Sequence, residues 1–176
     1  LVGSEMCIRD SIYISHMHFD HIVGLADFWL TSNLWQKKKN TNVYGPGGIK
    51  EFCKELKKSY VKDLHYRYDK NSISELNCIN HNGIKIYDNT LSITPFKNDH
   101  GHVKNSYGFK IKFGNKKIVY SGDTTYSKNV VDNSKNADIL IHEIMSVSKK
   151  IYDKNKRLRS VASTHTNINQ LLSLIH

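Results

Sequence analysis

The sequence predicts a layered α/β protein, because segments typical of strands alternate with segments typical of helices along its 176 residues. Short runs of β-branched and aromatic residues, such as SIYIS at 11–15, predict buried strands. Longer segments with apolar residues every three or four positions, such as IKEFCKELKKSY at 49–60, predict helices. Gly114 and Asn115 predict a tight hairpin turn, so at least one pair of strands is antiparallel.

The remaining elements follow the same alternation. HIVGLADFWLTSNLWQ at 21–36 predicts a helix, and NVYG at 42–45 predicts a short strand that ends in a Gly-Pro-Gly-Gly turn. Apolar periodicity also predicts a helix over about 126–136. Five more strands are predicted, at IKIY (84–87), LSITPF (91–96), SYGFKIKF (106–113), KKIVYSG (116–122) and, as a buried strand, DILIHE (138–143).

Both ends of the chain resemble translated sequencing adapter. LVGSEMCIRDS at 1–11 and LSLIH at 172–176 back-translate into the two orientations of one transposase adapter. We therefore expect residues 12–171 to be the native part, a single partial domain, with 1–11 and 172–176 as scars. Cys53 and Cys78, the two cysteines of that part, follow no pattern, which predicts a reducing compartment and no disulfide framework.

The formal net charge of +10 suits a polyanionic partner such as RNA. The excess of lysine over arginine is also typical of AT-rich coding sequence, so charge gives this idea only weak support. KKSYVKDLHYRYDK at 57–70 interleaves basic and aromatic residues, on which RNA bases could stack. The solvated face of an amphipathic helix end is the favoured interpretation of that segment. No run approaches the roughly 20 apolar residues that span a bilayer, so no membrane partner is expected.

HMHFDH at 16–21 is the strongest chemical pattern in the chain. It places His16, His18, Asp20 and His21 within six positions, directly after a predicted strand. Alternate residues of an extended chain share a face, so the first two histidines project together. Imidazole and carboxylate groups are ligands for zinc and similar ions. Four such groups exceed what one tetrahedral ion accepts from a single loop, which predicts two adjacent metal ions.

This stretch closely resembles the first motif of the metallo-β-lactamase superfamily, His-x-His-x-Asp-His. Three further segments resemble later motifs of its ribonuclease Z branch, in the same order: 98–111 (NDHGHVKNSYGFKI), 120–124 (YSGDT) and 163–170 (STHTNINQ). The resemblance implies a metallo-β-lactamase αββα sandwich, incomplete here because its first strands and its last strand and helix are missing. It also implies a set of metal ligands: His16, His18, His100 and Asp123 for the first ion, and Asp20, His21 and Asp123 for the second.

Some positions remain open within this resemblance. His102 is the alternative to His100 as the third-motif ligand, and His100 is preferred. His65 and His81 lie in polar, unpatterned surroundings and are predicted to be surface residues. The last histidine ligand of the family has no counterpart in the fragment, so the fragment itself is expected to be a poor enzyme.

The resemblance also assigns catalytic residues. Asp20 would orient a metal-bridging hydroxide that attacks phosphorus and accept its proton, as well as bind metal. His165 would bind a phosphate oxygen or protonate the leaving oxygen. His142, followed by Glu143, would support them, although a buried structural histidine is an equal alternative for His142.

These expectations favour a metal-dependent hydrolase, most of all a phosphodiesterase resembling ribonuclease Z that acts on RNA or on a smaller phosphodiester. A sulfatase-like or lactonase-like hydrolase of the same fold is one alternative, and a non-catalytic metal-binding or RNA-binding module is another. Only 23 positions separate His100 from Asp123, too few for the long arm that clamps tRNA in bacterial ribonuclease Z, which weakens the tRNA-processing hypothesis. Two divalent ions (Zn²⁺, or else Mn²⁺ or Fe²⁺), a cytoplasmic location and a homodimer complete the expectations.

Overall fold

The computed structural model describes residues 10–84, 86–88 and 91–175. The chain divides into two compact units, Leu1–Asn82 and Gly83–His176. Most of the first expected scar lies outside the described residues, while positions 172–175 belong to a helix. Within the described ranges, no helix combines the length and apolar character needed to cross a membrane.

The first unit is built around a parallel sheet with the strand order β1-β2-β3. Val43 at the centre of β2 pairs with Ile12 on one side and Cys78 on the other, and Val43 and Ile49 are fully buried in the core. The helix predicted at 21–36 is present as two helices, and the sequence patterns did not predict β3. The elements are β1 (Ser11–Tyr13), α1 (Phe19–Ile22), α2 (Gly24–Leu34), β2 (Thr41–Gly45), α3 (Ile49–Arg67) and β3 (Leu76–Asn80).

The three parallel strands end at the same edge of this sheet. Beyond β1 comes the histidine cluster, beyond β2 comes the Gly45–Gly48 turn, and beyond β3 comes His81. The turn requires glycine at two places. A Cβ on Gly45 would lie 2.7 Å from the Ile49 side chain, and Gly48 has a φ of +101°. A parallel sheet thus gathers chemically active side chains at its carboxyl-terminal edge.

The second unit contains a five-stranded mixed sheet with the order β4-β5-β6-β7-β8. The first four strands are antiparallel, and β8 joins β7 in parallel. The predicted Gly114-Asn115 hairpin is confirmed, with Phe113 paired to Lys116. The elements are β4 (Ile86–Asp88), β5 (Leu91–Lys97), β6 (Tyr107–Phe113), β7 (Lys116–Tyr120), α4 (Lys128–Ser134), β8 (Ile139–Ile141), α5 (Lys149–Lys154), α6 (Lys156–Ala162) and α7 (Ile168–Ile175).

The strand predicted at 138–143 forms, but its predicted burial is wrong. Ile139 and Ile141 are each 51% exposed, whereas Leu140 between them is partly buried. Alternate side chains of a strand point to opposite faces of the sheet. Because β8 is also the edge strand of its sheet, it has a neighbouring strand on one side only. An apolar run predicts a strand from its residue types alone, while burial depends on what packs against each face.

Cys53 and Cys78 form a disulfide bond that joins α3 to β3. The expectation that these cysteines belong to no disulfide framework is therefore wrong. They are 25 residues apart in sequence and meet because α3 packs on the sheet, a proximity that their spacing does not reveal. The pairing also removes the argument for a reducing compartment that rested on unpatterned cysteines.

Reduction of this bond is expected to destabilise the protein. Closing a loop of this length stabilises a protein by roughly 3–4 kcal/mol in the chain-entropy account. Dithiothreitol should lower the free energy of unfolding of the wild-type chain by about that amount, measured by urea denaturation. The double variant Cys53→Ala/Cys78→Ala is the matched control and should give the same curve with and without dithiothreitol. A wild-type curve that does not respond to the reductant would contradict the bond.

Candidate metal centre

The histidine cluster lies in the connection between β1 and α1. The chain remains extended as far as His18, whose φ and ψ are −63° and 145°, and α1 then begins at Phe19. His16 is fully buried, whereas His18 and Asp20 are exposed. The connection therefore holds one histidine inside the unit and presents its neighbours at the surface.

Side chains of this connection converge. The Nε2 atom of His16 lies 2.9 Å from Nδ1 of His18, and the ring centroids of His16 and His21 are 4.1 Å apart. A carboxylate oxygen of Asp20 lies 3.4 Å from His21 Nε2. A hydrogen bond between two ring nitrogens needs one nitrogen with a free lone pair, so at least one of the two rings is neutral. Neutral imidazole is the form that binds a metal ion.

A second group of potential ligands lies in the second unit. One ligand atom from each of His100, Asp123 and His165 falls within 4.8 Å of the other two. The rings of His100 and His165 meet edge to face, with centroids 5.1 Å apart. His100 is buried, and Asp123 and His165 are partly buried. Two imidazoles and a carboxylate form a donor set that suits a divalent metal ion.

A backbone carbonyl fixes the tautomer of His100. Its Nδ1 lies 2.9 Å from the carbonyl oxygen of Thr164, which can only accept, so Nδ1 carries the hydrogen and donates. In the neutral ring the lone pair is then on Nε2. Hydrogen bonds of this kind orient histidine ligands in metal sites. Gly101 permits the close approach, because a Cβ there would lie 2.6 Å from the Thr164 side chain.

Asp123 lies in a turn after β7 that other polar groups hold in place. Gly122 has a φ of +64°, and a Cβ there would lie 2.5 Å from the carbonyl oxygen of Tyr107. The side-chain amide of Asn98 donates to the carbonyl oxygens of Ser121, at 2.7 Å, and Asp123, at 3.1 Å. The turn is therefore tied to the segment that carries His100.

Glu143 joins this turn to His165. Its Oε1 atom accepts from the backbone N–H of Thr124 at 3.0 Å, from the backbone N–H of Thr166 at 3.2 Å and from Nδ1 of His165 at 3.0 Å. This contact directs the ring hydrogen of His165 towards the carboxylate and leaves Nε2 for a ligand. The resemblance gave Glu143 only a supporting role together with His142 and did not predict its contact with His165. The signal that could have found it is a carboxylate directly after the last strand.

His142 and His102 lie outside the group formed by His100, Asp123 and His165. His142 Nδ1 donates to the backbone oxygen of Glu143 at 2.6 Å. Its Nε2 atom is buried and has no hydrogen-bond partner among the described residues. His102 is exposed. Neither histidine belongs to a potential metal-ligand group in the part of the chain that the structure describes.

The carboxylates at this site also act on Tyr120 at the end of β7. Burial raises the pKa of the Tyr120 hydroxyl, and the negative charges of Asp123 and Glu143 raise it further. The same negative potential favours the binding of a cation at this end of the sheet.

His81 is not the surface residue that the sequence predicted. It is only 1% exposed, its Nε2 lies 3.3 Å from the carbonyl oxygen of Ile14, and its backbone N–H donates to Gly45 at 2.9 Å. The prediction failed because the hydrogen-bond partners of His81, Ile14 just after β1 and Gly45 at the end of β2, lie far from it in sequence. The other predicted surface histidine, His65 on α3, is exposed.

A family profile for the Anti-Pycsar protein Apyc1 matches residues 2–176. The chain belongs to the Apyc1 family. The sequence motifs had indicated the metallo-β-lactamase superfamily but had not pointed to the Apyc1 family.

Curated relatives of this Apyc1 family member include several ribonucleases Z. The enzyme from Mycobacterium marinum is 23% identical over 177 residues, which cover 96% of this chain and 63% of that protein. The enzyme from Pyrococcus furiosus is 25% identical over 186 residues, which cover 79% of this chain and 58% of that protein. The chain thus spans about 60% of the length of these two relatives.

Solved structures with the same fold include a tRNase Z and a diphosphatase. Human tRNase Z, short form, matches with a TM-score of 0.63 at 20% identity, over 94% of this chain and 66% of that chain. A diphosphatase from the PhnP family matches with a TM-score of 0.60 at 17% identity, over 98% of this chain and 58% of that chain. The metallo-β-lactamase fold protein YhfI from Bacillus subtilis matches with a TM-score of 0.58 at 18% identity, over 90% of this chain and 56% of that chain. The predicted metallo-β-lactamase fold and the resemblance to ribonuclease Z are confirmed.

Replacement of His81 by leucine is expected to destabilise the first unit. The variant leaves the buried carbonyl of Ile14 without this donor, at a cost of about 1–3 kcal/mol. His81→Gln, which retains an N–H donor, should lose less. His65→Leu at an exposed position of α3 is the control and should change stability by no more than about 0.5 kcal/mol. Urea denaturation measures all three, and equal losses at the two histidines would contradict a role for the His81 hydrogen bond.

Proposed function

We propose that this protein is a dinuclear metal-dependent phosphodiesterase. The observation that carries the proposal is the close approach of two of its proposed ligands, His100 and Asp123, to its proposed proton donor, His165. Each histidine has its Nδ1 hydrogen directed at a protein acceptor, the Thr164 carbonyl or the Glu143 carboxylate. Side chains prepared in this way resemble the ligand shell of metal enzymes.

The ligand set of the proposal comes from the order of the motifs. His16, His18, His100 and Asp123 would hold one ion, and Asp20, His21 and Asp123 would hold the other. The donor chemistry fits, because the set consists of imidazole nitrogens and carboxylate oxygens, and His100 has its tautomer fixed. Divalent ions at such a site supply positive charge for the phosphate and lower the pKa of water.

The protein's own groups then have distinct tasks. Asp20, exposed at the start of α1, would orient the attacking water and accept its proton. His165, in the doubly protonated form that also carries a hydrogen on Nε2, would donate a hydrogen bond or a proton to the phosphate or to the leaving oxygen. Glu143 would keep the ring of His165 in one orientation through the 3.0 Å contact to Nδ1. His142 would act as a supporting residue beside Glu143.

The similar proteins favour a phosphodiester over a sulfate ester or a lactone as the substrate. The curated relatives are called ribonucleases Z, and the structures that share the fold include a tRNase Z and a diphosphatase. The HGHV sequence at 100–103 and the short connection between His100 and Asp123 are the features on the side of the sulfatase-like or lactonase-like alternatives. Zinc as the native ion, a cytoplasmic location and a homodimer stay predictions.

The substrate class is tested with the protein as its gene encodes it, because the chain spans only part of its relatives' length. Bis(p-nitrophenyl) phosphate should be hydrolysed, p-nitrophenyl sulfate and a simple lactone should not, and EDTA should abolish the reaction reversibly. His100→Ala and Asp123→Ala should each lose more than the roughly 10–100-fold that removal of an outer-shell partner costs. His102→Ala is the matched control and should retain activity. Turnover of the sulfate or lactone alone would overturn the proposal.

The role of His165 is tested through the leaving group. A proton donor matters most when the leaving oxygen is a poor leaving group, so His165→Ala should lower kcat on a dinucleotide such as UpA by roughly 10²–10⁴-fold. The loss on bis(p-nitrophenyl) phosphate, whose nitrophenolate needs no proton, should be much smaller. Metal content, measured by atomic emission, should stay unchanged. Equal losses on both substrates, or loss of bound metal, would contradict the role of proton donor.

A further inference from the structure

The strand β1 ends where the histidine motif begins, and few bonds hold that end. It is an edge strand of its sheet, and its ladder with β2 covers the three residues Ser11–Tyr13. The backbone N–H of Ile14 adds one bond beyond them, to the oxygen of Tyr44 at 2.8 Å. The end of a short edge strand opens more easily than a central strand, because a single neighbouring strand holds it. The direction in which the chain enters the motif at His16 therefore depends on the contacts of Ile14.

The register of the sheet assigns a donor to the Ile14 carbonyl, and that donor does not exist. In a parallel ladder a residue donates to the residue before its partner and accepts from the residue after its partner. Tyr13 pairs with Tyr44, so the next pair along the two chains is Ile14 with Gly45. The Ile14 carbonyl would therefore accept from residue 46. This residue is Pro46, which has no backbone N–H.

The side chain of His81 takes the place of the missing donor. His81 is the first residue after β3, and its Nε2 lies 3.3 Å from the carbonyl oxygen of Ile14. A carbonyl oxygen can only accept, so Nε2 carries the hydrogen and donates. Because β2 lies between β1 and β3, the imidazole reaches past the central strand to the strand on its far side.

The backbone of His81 fixes the place from which this side chain reaches. Its N–H donates to the oxygen of Gly45 at 2.9 Å, which extends the β2–β3 ladder by one residue beyond Asn80. A single residue thus bonds to the ends of both other strands at the carboxyl-terminal edge of the sheet.

These groups are buried, so their bonding is not optional. His81 is 1% exposed, Ile14 is 7% exposed, and Pro46 is fully buried. A buried imidazole or carbonyl without a hydrogen-bond partner is costly. Any residue other than proline at position 46 would offer the carbonyl an N–H without the need to bury an imidazole. Pro46 and His81 together therefore replace an ordinary ladder bond with a side-chain bond, at the point where β1 ends.

The bond lies two residues before the first candidate ligand. Ile14 is followed by Ser15, whose Oγ lies 3.1 Å from Nδ1 of His16, and both side chains are buried. A shift of the Ile14 peptide moves Ser15 and with it the contact that orients the His16 ring. Nε2 of His16 lies 2.9 Å from Nδ1 of His18, so the same shift also changes the separation of two proposed ligand atoms.

We propose that His81 is a positioning residue of the candidate metal centre. Through its bond to Ile14 it holds the entry to the histidine motif and so sets the metal affinity of His16 and His18. The proposal rests on the proposed function for the assignment of these two histidines as metal ligands. His81 acts through the Ile14 peptide and is not itself assigned as a ligand.

The test measures metal binding apart from turnover. The protein as its gene encodes it is stripped of metal with EDTA, dialysed, and titrated with Co²⁺ against a competing chelator. The visible absorption of bound Co²⁺ reports the geometry of its ligands. His81→Leu should bind Co²⁺ roughly 10–100-fold more weakly, the range that loss of an outer-shell partner costs, with an altered spectrum. His81→Gln, which retains an N–H donor, should recover most of the affinity and the wild-type spectrum.

A matched variant separates positioning from loss of stability. Leu64 is a buried core residue of the same unit, and it lies near the end of α3 that is remote from the carboxyl-terminal edge of the sheet. Leu64→Ala leaves a cavity and destabilises the unit. Under conditions in which circular dichroism shows each variant folded, it should keep the wild-type Co²⁺ affinity and spectrum. Equal losses in Leu64→Ala and His81→Leu would overturn the proposal, as would wild-type Co²⁺ binding by His81→Leu.

A double variant tests the origin of the bond. Pro46→Ala supplies a backbone N–H at the position from which the ladder would serve the Ile14 carbonyl. Combined with His81→Leu, it should restore part of the lost Co²⁺ affinity, because the carbonyl regains a donor. Losses that simply add in the double variant would contradict the exchange of donors between the two positions.

Two outcomes separate this proposal from the proposed function. Wild-type Co²⁺ binding by His81→Leu, in a protein that hydrolyses bis(p-nitrophenyl) phosphate, would overturn the role of His81 and leave the phosphodiesterase standing. Co²⁺ binding that depends on His81, in a protein without phosphodiester turnover, would refute the proposed function and support the positioning role.

Discussion

One carboxylate oxygen, Oε1 of Glu143, connects the parts of the second unit that carry its candidate ligands. Its three donors come from the turn after β7 and from the turn after α6, at Thr124, His165 and Thr166. Hydrogen bonds to an ionised acceptor are about twice as strong as neutral ones, and partial burial strengthens them further. These contacts hold the ring of His165 and the turn that carries Asp123, and the Thr164 carbonyl accepts in the same way from His100.

The distribution of charge illustrates why composition says little about partners. The net charge of +10 is compatible both with AT-rich coding and with a nucleic-acid partner. The coordinates add which cations have acidic neighbours, a distinction that composition does not contain. Lys57 and Lys58 on α3 have such neighbours, whereas Lys50 and Lys62 on the same helix and Lys149 and Lys150 on α5 have none within the described residues.

The errors of sequence-based prediction share one cause. His81 was predicted to be a surface residue because its hydrogen-bond partners, Ile14 and Gly45, are distant from it in sequence. Cys53 and Cys78 looked unrelated because they are 25 residues apart in sequence, on a helix and a strand that meet only in the folded unit. The burial of β8 was overestimated because residue types cannot show what covers an edge strand. Each error concerns contacts between residues that are distant in sequence, for which local patterns carry no information.

The sequence alone determined the alternation of strands and helices, the Gly114-Asn115 hairpin and the superfamily, because periodicity, turn chemistry and ligand spacing are local properties. It also supplied the candidate residues His16, His18, His100, Asp123 and His165. Tertiary structure decided what each of them touches: the tautomer of His100, the orientation of His165 by Glu143, and the burial of His81. These properties depend on hydrogen bonds across loops, and such bonds exist only after the chain has folded.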